Sequence, residues 1–339
     1  MNSEVLFVHQ DPLHPAHLGF GLSIKADFIP YNKYKLRIKR TGAIPYMMQS
    51  AINGIKLPDY KYYLCDGGAT VLPAVIKKKT SSGEGMKIID LIADETFVVQ
   101  TLGIPQPNLK LNLMWKAIAG SISGGIAVSG LVRDAAAKVL KCPIRIAHPF
   151  IRDGLYEQLL NLKPQLRGNS IISVGYAGAK NGMDALVEAF RIVKRDFKDA
   201  ELTIIGKGHP KEWEEITGVK IVGFVDELPP HLEKSALFVL VGRGQAFPVA
   251  TLEALCSGLP VIVTKYTGTK DVIAKISRKF VCGLDADDIA RAIMDYLALS
   301  HTERIELGQQ AKRLGGEFNR ENCCGRFKEE FNSLIKEIN

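Results

Sequence analysis

The pattern of hydrophobic positions in the second half of the chain predicts buried β-strands that alternate with amphipathic helices. Runs rich in Val, Ile and Leu, without polar alternation, lie at 170–176, 201–206, 220–225, 236–242 and 259–264, with a weaker run at 279–283. Helical patterns lie at 182–196, 211–216, 229–235, 247–257, 269–277 and 285–299. Such strands are buried on both faces, and their alternation with helices is typical of a doubly wound parallel sheet.

The first half shows a similar but weaker pattern. Strands are predicted at 4–10, 35–39, 62–66, 87–93 and 125–129, and helices at 45–53, 69–79, 108–119 and 131–140. We predict an N-terminal Rossmann-like domain over 1–150, a second one over 151–318, and a final polar helix in 319–339. Two such domains would face each other across a cleft, because open α/β sheets bind ligands at the carboxyl ends of their strands.

Composition places the chain among globular proteins with sizeable cores. It has 339 residues, of which 46% are hydrophobic and 24% charged. The start of the chain lacks the pattern of a signal peptide, and no apolar run reaches the length of a membrane span. The six cysteines form no CxxC pair, which favours a reducing compartment over a metal or redox role. These features predict a cytoplasmic protein.

The positive charge is concentrated in the first half. Residues 1–150 contain 18 basic and 10 acidic side chains, and the remainder is balanced. Much of the excess lies in 31–40, "YNKYKLRIKR", and in the lysines at 77–79. Basic clusters with aromatic residues can contact an anionic membrane surface, an anionic acceptor or nucleic acid, or can simply be a solvated face. No nucleic-acid-binding motif accompanies the charge, so we expect no nucleic-acid partner.

The segment "GQAFPVATLEALCSGLPVIVT" (244–264) holds the first candidate site. A helix is predicted to begin at Phe247, with Pro248 in its first turn, and the free N–H groups at such an end can bind an anion. Gly242 and Gly244 allow a phosphate to approach the backbone, and Arg243 could add charge. This is either a diphosphate site or an ordinary strand–helix turn.

Glu253 lies in the apolar part of that helix, less than two turns from its start. A carboxylate in such surroundings is costly unless it has a partner. It either accepts hydrogen bonds from a ribose or faces solvent.

Two further loops carry candidate residues. The loop 175–182, "GYAGAKNG", is not the GxGxxG of dinucleotide dehydrogenases, and its Lys180 is either a phosphate ligand or a surface lysine. The segment 9–23 contains three histidines in spacing unlike that of a metal site, so we expect no metal there. Its Gly19, Phe20 and Gly21 predict a flexible lid or acceptor loop.

Five segments together resemble the retaining glycosyltransferases of family 4, which have the GT-B fold. These are "SVGYAGAKNGMDALVEAF", "LTIIGKG", "KIVGFV", "QAFPVATLEALCSGLPVIVT" and "TGTKDVI". The likeness covers about 145–335 well and 1–145 weakly. It implies two Rossmann-like domains, with the final helix crossing back to pack on the first, and a nucleoside diphosphate sugar as donor.

The resemblance also implies roles for single residues. Glu253 would hold the ribose, the backbone near Val249 and Ala250 the phosphates, and Lys180 the diphosphate. Val225 would lie beside the base. Gln245 replaces the first glutamate of the family's Glu-x7-Glu motif, and it would contact the sugar without supplying negative charge.

Two other positions depart from the family. Tyr176 stands where the family has an arginine, and Arg243 could replace that charge. Ala93 stands where a histidine is often found, which leaves Asp94 as the candidate catalytic residue of the first domain.

We therefore predict a metal-independent transferase that needs no cofactor and moves a hexose-type sugar to a glycan or polyprenyl-phosphate-linked acceptor with retention. An anionic membrane surface could be contacted through 31–40 and 77–79, which would place the protein at the inner face of the membrane. Two alternatives stay open: a catalytically weak or inactive GT-B partner subunit that binds nucleotide or glycan, and a GT-B-type nucleotide-sugar epimerase.

Overall fold

Two parallel six-stranded sheets form the framework of the protein. The computed structural model describes residues 3–33, 43–81, 85–103 and 115–339. The chain divides into one unit of Met1–Pro149 with Arg320–Asn339, and a second of Phe150–Asn319. The predicted strand 35–39, most of the basic segment 31–40 and most of the predicted helix 108–119 lie outside the described residues.

The first unit has the strand order β2-β1-β3-β4-β5-β6, all parallel. Its strands are β1 Val5–His9, β2 Asp27–Pro30, β3 Tyr62–Cys65, β4 Lys87–Ile92, β5 Gly124–Ala127 and β6 Ile144–Ile146. Its helices are α1 Pro15–Ser23, α2 Ala43–Lys56, α3 Gly68–Thr80, α4 Thr96–Leu102, α5 Gly130–Ala136 and α13 Arg320–Ile338. The strands β2 and β6 and the helices α1 and α4 were not predicted from the sequence.

Helix α13 is part of the first unit. It packs against α1, against β5 and against the edge strand β6. The rings of Phe20 and Phe327 stack with their centroids 4.4 Å apart. A Cβ on Gly124 would come within 2.9 Å of a methyl group of Leu334, so the glycine allows α13 to pack closely on β5. Because Phe20, Phe327 and Leu334 are fully buried, each contributes about 1.5–3 kcal/mol of hydrophobic free energy.

The second unit has the parallel order β12-β11-β10-β7-β8-β9. Its strands are β7 Ser170–Val174, β8 Glu201–Ile205, β9 Val219–Gly223, β10 Leu237–Leu240, β11 Val261–Thr264 and β12 Val281–Cys282. Its helices are α6 Asp153–Leu160, α7 Met183–Asp196, α8 Pro229–Glu233, α9 Val249–Ser257, α10 Lys270–Ile273, α11 Ala286–Leu297 and α12 His301–Gly315. All six predicted strands are present, and β10 and β11 are buried throughout, as their apolar sequences require.

Candidate functional site

The candidate site of the second unit lies where the strand order reverses. The chain runs from β7 outward through β8 and β9, and then returns to β10 on the other side of β7. In open α/β sheets, the crevice at such a switch point, beyond the carboxyl ends of the strands, is where ligands bind. The loop 175–182 follows β7, and the segment 241–248 follows β10. Four of the predicted donor residues lie in these two segments: Lys180, Arg243, Gly244 and Gln245.

Direct hydrogen bonds hold the two segments together. The Arg243 N–H donates to the Lys180 carbonyl oxygen at 2.7 Å. Gln245 Nε2 donates to Asn181 Oδ1 at 2.6 Å, and Asn181 Nδ2 donates to the carbonyl oxygen of Tyr176, also at 2.6 Å. Gln245 Oε1 is buried and has no hydrogen-bond partner among the described residues. The amide of Gln245 therefore offers an acceptor that a bound ligand could satisfy.

Gly182 makes this close approach possible. It has a φ of +64°, and a Cβ there would lie 2.2 Å from the Val241 carbonyl oxygen, so any side chain would push the two segments apart. Within the second segment, a Cβ on Gly242 would come within 2.9 Å of Thr267 Oγ1 and 3.1 Å of Gln245 Cδ, so glycine at this position leaves room for the Gln245 side chain.

Arg243 has a partner that the sequence did not reveal. Its guanidinium makes two hydrogen bonds to the Asp184 carboxylate, at 2.9 and 3.0 Å, and a third to the Ala179 carbonyl oxygen at 2.9 Å. Partial burial acts to raise the pKa of Asp184, but the hydrogen bonds and charge of Arg243 outweigh it and the pKa lies below its usual value. Arg243 thus braces the loop 175–182. A direct contact with phosphate stays a prediction, as it does for the exposed Lys180.

Helix α9 begins directly after this bonded region. Pro248 is its N-cap, and no side chain caps the helix. Val249 and Ala250, which the sequence predicted to hold phosphates through their backbone, are half-buried in the first turn. An uncapped first turn leaves N–H groups available to an anion.

Glu253 follows one turn further along α9 and is partly buried. Burial raises the pKa of its carboxyl, while the positive charge of Arg152 acts in the opposite direction. The carboxyl therefore lies in surroundings where a hydroxyl-bearing ligand would find a strong acceptor.

Aromatic side chains near the ends of β7 and β9 were missed as site candidates. Tyr176 is 56% exposed and Phe224 is 53% exposed, and Lys207 Nζ lies 4.6 Å from the Phe224 ring centroid. Val225, predicted beside the base, is half-buried next to Phe224. His209 bridges two loops through its Nε2, 2.9 Å from the Gly175 carbonyl oxygen. The signal available in the sequence was an aromatic residue within two positions of the end of each strand.

The first unit has a matching cavity of about 200 Å³ at the carboxyl ends of its strands. It is lined by residues that follow β1, β3 and β4, together with side chains from the region of α1: Gln10, Pro12, His14, His17, Asp66, Gly67, Ala93 and Asp94. His17 Nδ1 lies 2.7 Å from Asp66 Oδ1, close enough for an ion pair although the two are not aligned as a hydrogen bond. The sequence had identified only Asp94 here.

The prediction of a flexible lid at Gly19, Phe20 and Gly21 is wrong. All three are buried within α1, which begins at Pro15 after an N-cap by His14. A Cβ on Gly21 would come within 2.5 Å of the Phe28 ring, so this glycine provides close packing rather than flexibility. The segment places His17 in the cavity instead of covering it.

Three carboxyl groups of the first unit influence one another. Burial raises the pKa of Asp94, against the opposing effect of the Thr96 N–H that donates to it at 2.8 Å. Burial also raises the pKa of Asp90 well above its usual value, and the charges of Asp94 and Asp66 add to this. Asp90 is 1% exposed, and neither of its carboxyl oxygens has a hydrogen-bond partner in the described part of the chain.

Asp90 should make the stability of the protein depend on pH. Because its pKa is raised on folding, its contribution is full below about pH 4 and is lost as the pH rises through the raised value. We expect Asp90→Asn to resemble the parent in acid and to gain stability relative to it, by at least about 1 kcal/mol, toward neutral pH. Urea unfolding across this range tests it. The exposed Asp134→Asn is the matched control, and parallel curves for Asp90→Asn and the parent would contradict the expectation.

The described residues contain neither a metal-ligand cluster nor a membrane-spanning helix. No group of three or more His, Cys, Asp or Glu side chains there is placed to hold a metal ion. No helix in the described ranges combines the length and apolar character needed to cross a bilayer.

The two parallel sheets define a two-domain α/β protein of the GT-B class, as the sequence predicted. Residues 168–298 match the model of the family described as Glycosyl transferases group 1. That segment contains the switch-point loops and α9, and the match confirms there the resemblance read from the motifs.

Individual relatives agree with this assignment. The chain is 30% identical over 139 residues to the amylovoran biosynthesis glycosyltransferase AmsK of Erwinia amylovora, covering 36% of this chain and 32% of the relative. It is 23% identical over 183 residues to the poly(glycerol-phosphate) alpha-glucosyltransferase of Bacillus subtilis, covering 51% and 27%. The chain thus spans about a third or less of the length of these relatives.

A solved structure resembles the whole chain. The structure of Anabaena Alr3699/HepE in complex with UDP and glucose superimposes with a TM-score of 0.70, covering 97% of this chain and 99% of the other. Only 13% of the aligned residues are identical, so the likeness establishes the fold.

Proposed function

We propose that the protein is a retaining glycosyltransferase that transfers a hexose-type sugar from a nucleoside diphosphate sugar without a metal ion. The observation that carries the proposal is the uncapped start of α9, which lies between Gln245 on one side and Glu253 on the other. Such a helix end favours a diphosphate, since its N–H groups and dipole both attract negative charge. The family assignment of residues 168–298 supports the same donor class.

Each donor group has a candidate partner. Glu253 accepts hydrogen bonds from the ribose hydroxyls, and the backbone at Val249 and Ala250 binds the phosphates, with Lys180 adding charge. The buried Gln245 Oε1, which lacks a partner among the described residues, accepts a sugar hydroxyl. The exposed faces of Tyr176 and Phe224 offer stacking surfaces for the base.

The proposed transfer uses a site that stabilises anions and involves no protein nucleophile. The helix end stabilises the leaving nucleoside diphosphate, and its leaving phosphate takes the proton of the incoming acceptor hydroxyl. This route retains the configuration at the sugar carbon. Because the positive ends of dipoles and a lysine supply the charge stabilisation, it requires no metal ion.

The acceptor is proposed to bind in the cavity of the first unit. Asp66, Asp94 and His17 present carboxylate and imidazole groups, which suit the hydroxyls of a glycan. A glycan or a polyprenyl-phosphate-linked sugar therefore fits the chemistry of the cavity and of the basic first half.

A second candidate function is a nucleotide-binding partner subunit with little or no transfer activity. Two observations favour it. Gln245 lacks the charge of a carboxylate, and the guanidinium of Arg243 is already neutralised by Asp184.

A panel of nucleoside diphosphate sugars, with thermal unfolding as the readout, tests the donor assignment. A ligand that binds only the folded protein raises the unfolding midpoint, by an amount that grows with its concentration over its Kd. We expect one nucleotide series to stabilise the protein, and the corresponding donor to release nucleoside diphosphate in the presence of EDTA.

Stabilisation without release, with any acceptor offered, would favour the partner-subunit alternative. If no nucleoside diphosphate sugar shifts the midpoint, the proposed donor site is wrong.

A further inference from the structure

A polar groove of about 440 Å³ lies on the first unit, at the edge of the sheet opposite to the acceptor cavity. Lys87, the first residue of β4, lines it, as do Ser121 and Ser123 ahead of β5 and Lys141 ahead of β6. These positions are at the amino-terminal ends of the strands, whereas Asp94 follows the carboxyl end of β4. Since β4 has six residues, its two ends are about 17 Å apart, so the groove and the acceptor cavity are separate sites.

Positive charge dominates the groove. Lys78, Lys87 and Lys141 line it, and among the described lining residues the acidic side chain is Glu337. Glu337 already has a cation of its own, because Arg145 Nη2 lies 2.6 Å from its Oε2. The Glu337 carboxylate therefore does not neutralise the positive charge of the three lysines.

Two of the three lysines, Lys78 and Lys87, are close enough to repel each other. Lys78 Nζ donates a hydrogen bond to the Ser121 carbonyl oxygen at 3.3 Å, which fixes its ammonium at the groove wall. Burial lowers the pKa of Lys78, and the nearby positive charge of Lys87 lowers it further. A bound anion would relieve this repulsion, which a solvated lysine on an open surface does not experience.

The neighbouring lysines of the same run behave differently. Lys77 is 8% exposed and its ammonium lies 2.6 Å from the Asp59 carboxylate. Lys79 is exposed and is not part of the groove lining. Of these three lysines, Lys78 is therefore the one that lines the groove, and a membrane contact through 77–79 stays a prediction.

The groove also offers neutral donors. Ser123 Oγ accepts a hydrogen bond from the Ile88 N–H at 3.3 Å, and its own hydroxyl proton can still be donated elsewhere. Ser121 adds a second hydroxyl at the same wall. Ammonium groups combined with hydroxyl donors match the several acceptor oxygens of a phosphoryl group better than they match a single carboxylate.

We propose that this groove is an anion-binding site for a phosphoryl group, separate from the donor and acceptor sites. The phosphoryl group belongs either to a soluble phosphorylated compound or to the headgroup of a phosphomonoester lipid, and the chemistry of recognition is the same for both. The site anchors its ligand without taking part in sugar transfer, and the inference does not depend on the proposed transferase activity.

The test is isothermal titration of the full chain with inorganic phosphate, using two double variants of equal charge. Lys87→Gln with Lys141→Gln removes two ammonium groups from the groove. Lys79→Gln with Lys138→Gln removes two exposed lysines of the same unit that do not line it. We expect the groove variant to bind phosphate at least about tenfold more weakly than the parent, and the control variant to stay within about twofold.

Sedimentation with vesicles distinguishes the two sources of phosphoryl group. Vesicles of phosphatidylcholine alone are compared with vesicles that also contain phosphatidic acid. Binding to phosphatidic acid that the groove variant loses and the control variant keeps identifies the lipid headgroup. Binding of inorganic phosphate alone, lost in the same pattern, identifies a soluble ligand.

Equal loss in the two double variants would overturn the proposal, because the effect would then be one of net charge. Binding of neither probe by the parent would overturn it as well. If the double groove variant fails to fold, Lys141→Gln alone replaces it, since Lys141 is exposed and its loss leaves the sheet intact. The phosphate affinity of Lys141→Gln is then compared with that of the single control variant Lys138→Gln.

Discussion

Replacing Glu253 with glutamine is expected to weaken binding of the nucleoside diphosphate about ten- to a hundredfold. A carboxylate can accept hydrogen bonds from both hydroxyls of a ribose, and hydrogen bonds to a charged group are worth about 1.5–3 kcal/mol. The amide of glutamine keeps the shape but loses the charge and one acceptor. Isothermal titration with the nucleotide identified by the donor panel measures the change in Kd.

The same substitution should not destabilise the free protein. Burial raises the pKa of Glu253, so its ionised form is unfavourable in the folded state, and the stability it contributes is lost as the pH rises through that value. At neutral pH we therefore expect Glu253→Gln to unfold at an equal or higher temperature than the parent.

The matched control is Glu306→Gln, which changes an exposed glutamate on α12 of the same unit. It should alter neither binding nor stability. Unchanged nucleotide affinity in Glu253→Gln would remove Glu253 from the ribose site, and a large loss of stability would assign it a structural role.

The second unit could be predicted well because its strands are short and apolar. A parallel strand covered on both faces leaves no room for polar alternation, so β10 and β11 are visible in the sequence as uninterrupted runs of Val, Leu, Ile and Phe. The helix start at α9 was also visible, because Pro248 and the flanking glycines mark a turn. These signals come from neighbouring residues in the sequence, so they can be recognised without knowing the fold.

The hydrogen bonds that hold the site together join residues far apart in the sequence. Arg243 and Asp184 are 59 positions apart, and Gln245 and Asn181 are 64 apart. These pairs meet because β10 lies beside β7 in the sheet. The spacing of residues in the sequence does not reveal which strands are neighbours. The sequence could place the right segments at the site, but not the partner of each side chain.

Helix α1 was missed for a different physical reason. It exposes Leu18 and Leu22 and buries Gly19 and Gly21, so neither an amphipathic pattern nor helix propensity marks it. Its glycines serve close packing, against Phe28 in the case of Gly21. A glycine pair alone does not distinguish a hinge from a contact in a core.

Replacing Gln245 with glutamate is expected to destabilise the protein by about 1–3 kcal/mol, although it introduces the residue type found in the resembling family. Asn181 Nδ2 donates to the carbonyl oxygen of Tyr176, which fixes the orientation of the Asn181 amide. Its Oδ1 then faces position 245 and requires a donor there. Glutamate would place a carboxylate oxygen against this oxygen, in a partly buried position. Urea unfolding measures the cost.

Transfer should fall with this change rather than rise, because the loop 175–182 would lose its link to the segment after β10. A double-mutant cycle with Asn181→Ala isolates the cause. Removing the opposing oxygen should make Gln245→Glu less costly, with a coupling energy of about 1–2 kcal/mol.

Gln309→Glu, on the exposed surface of α12, controls for the added charge and should change stability by less than about 0.5 kcal/mol. A Gln245→Glu protein that is as stable as the parent and transfers sugar faster would contradict both expectations. It would mean that the Asn181 amide reorients freely and that the native amide only weakens the site. The expected loss of stability and transfer would instead show that the loop 175–182 requires an amide at position 245, because Asn181 needs a hydrogen-bond donor there.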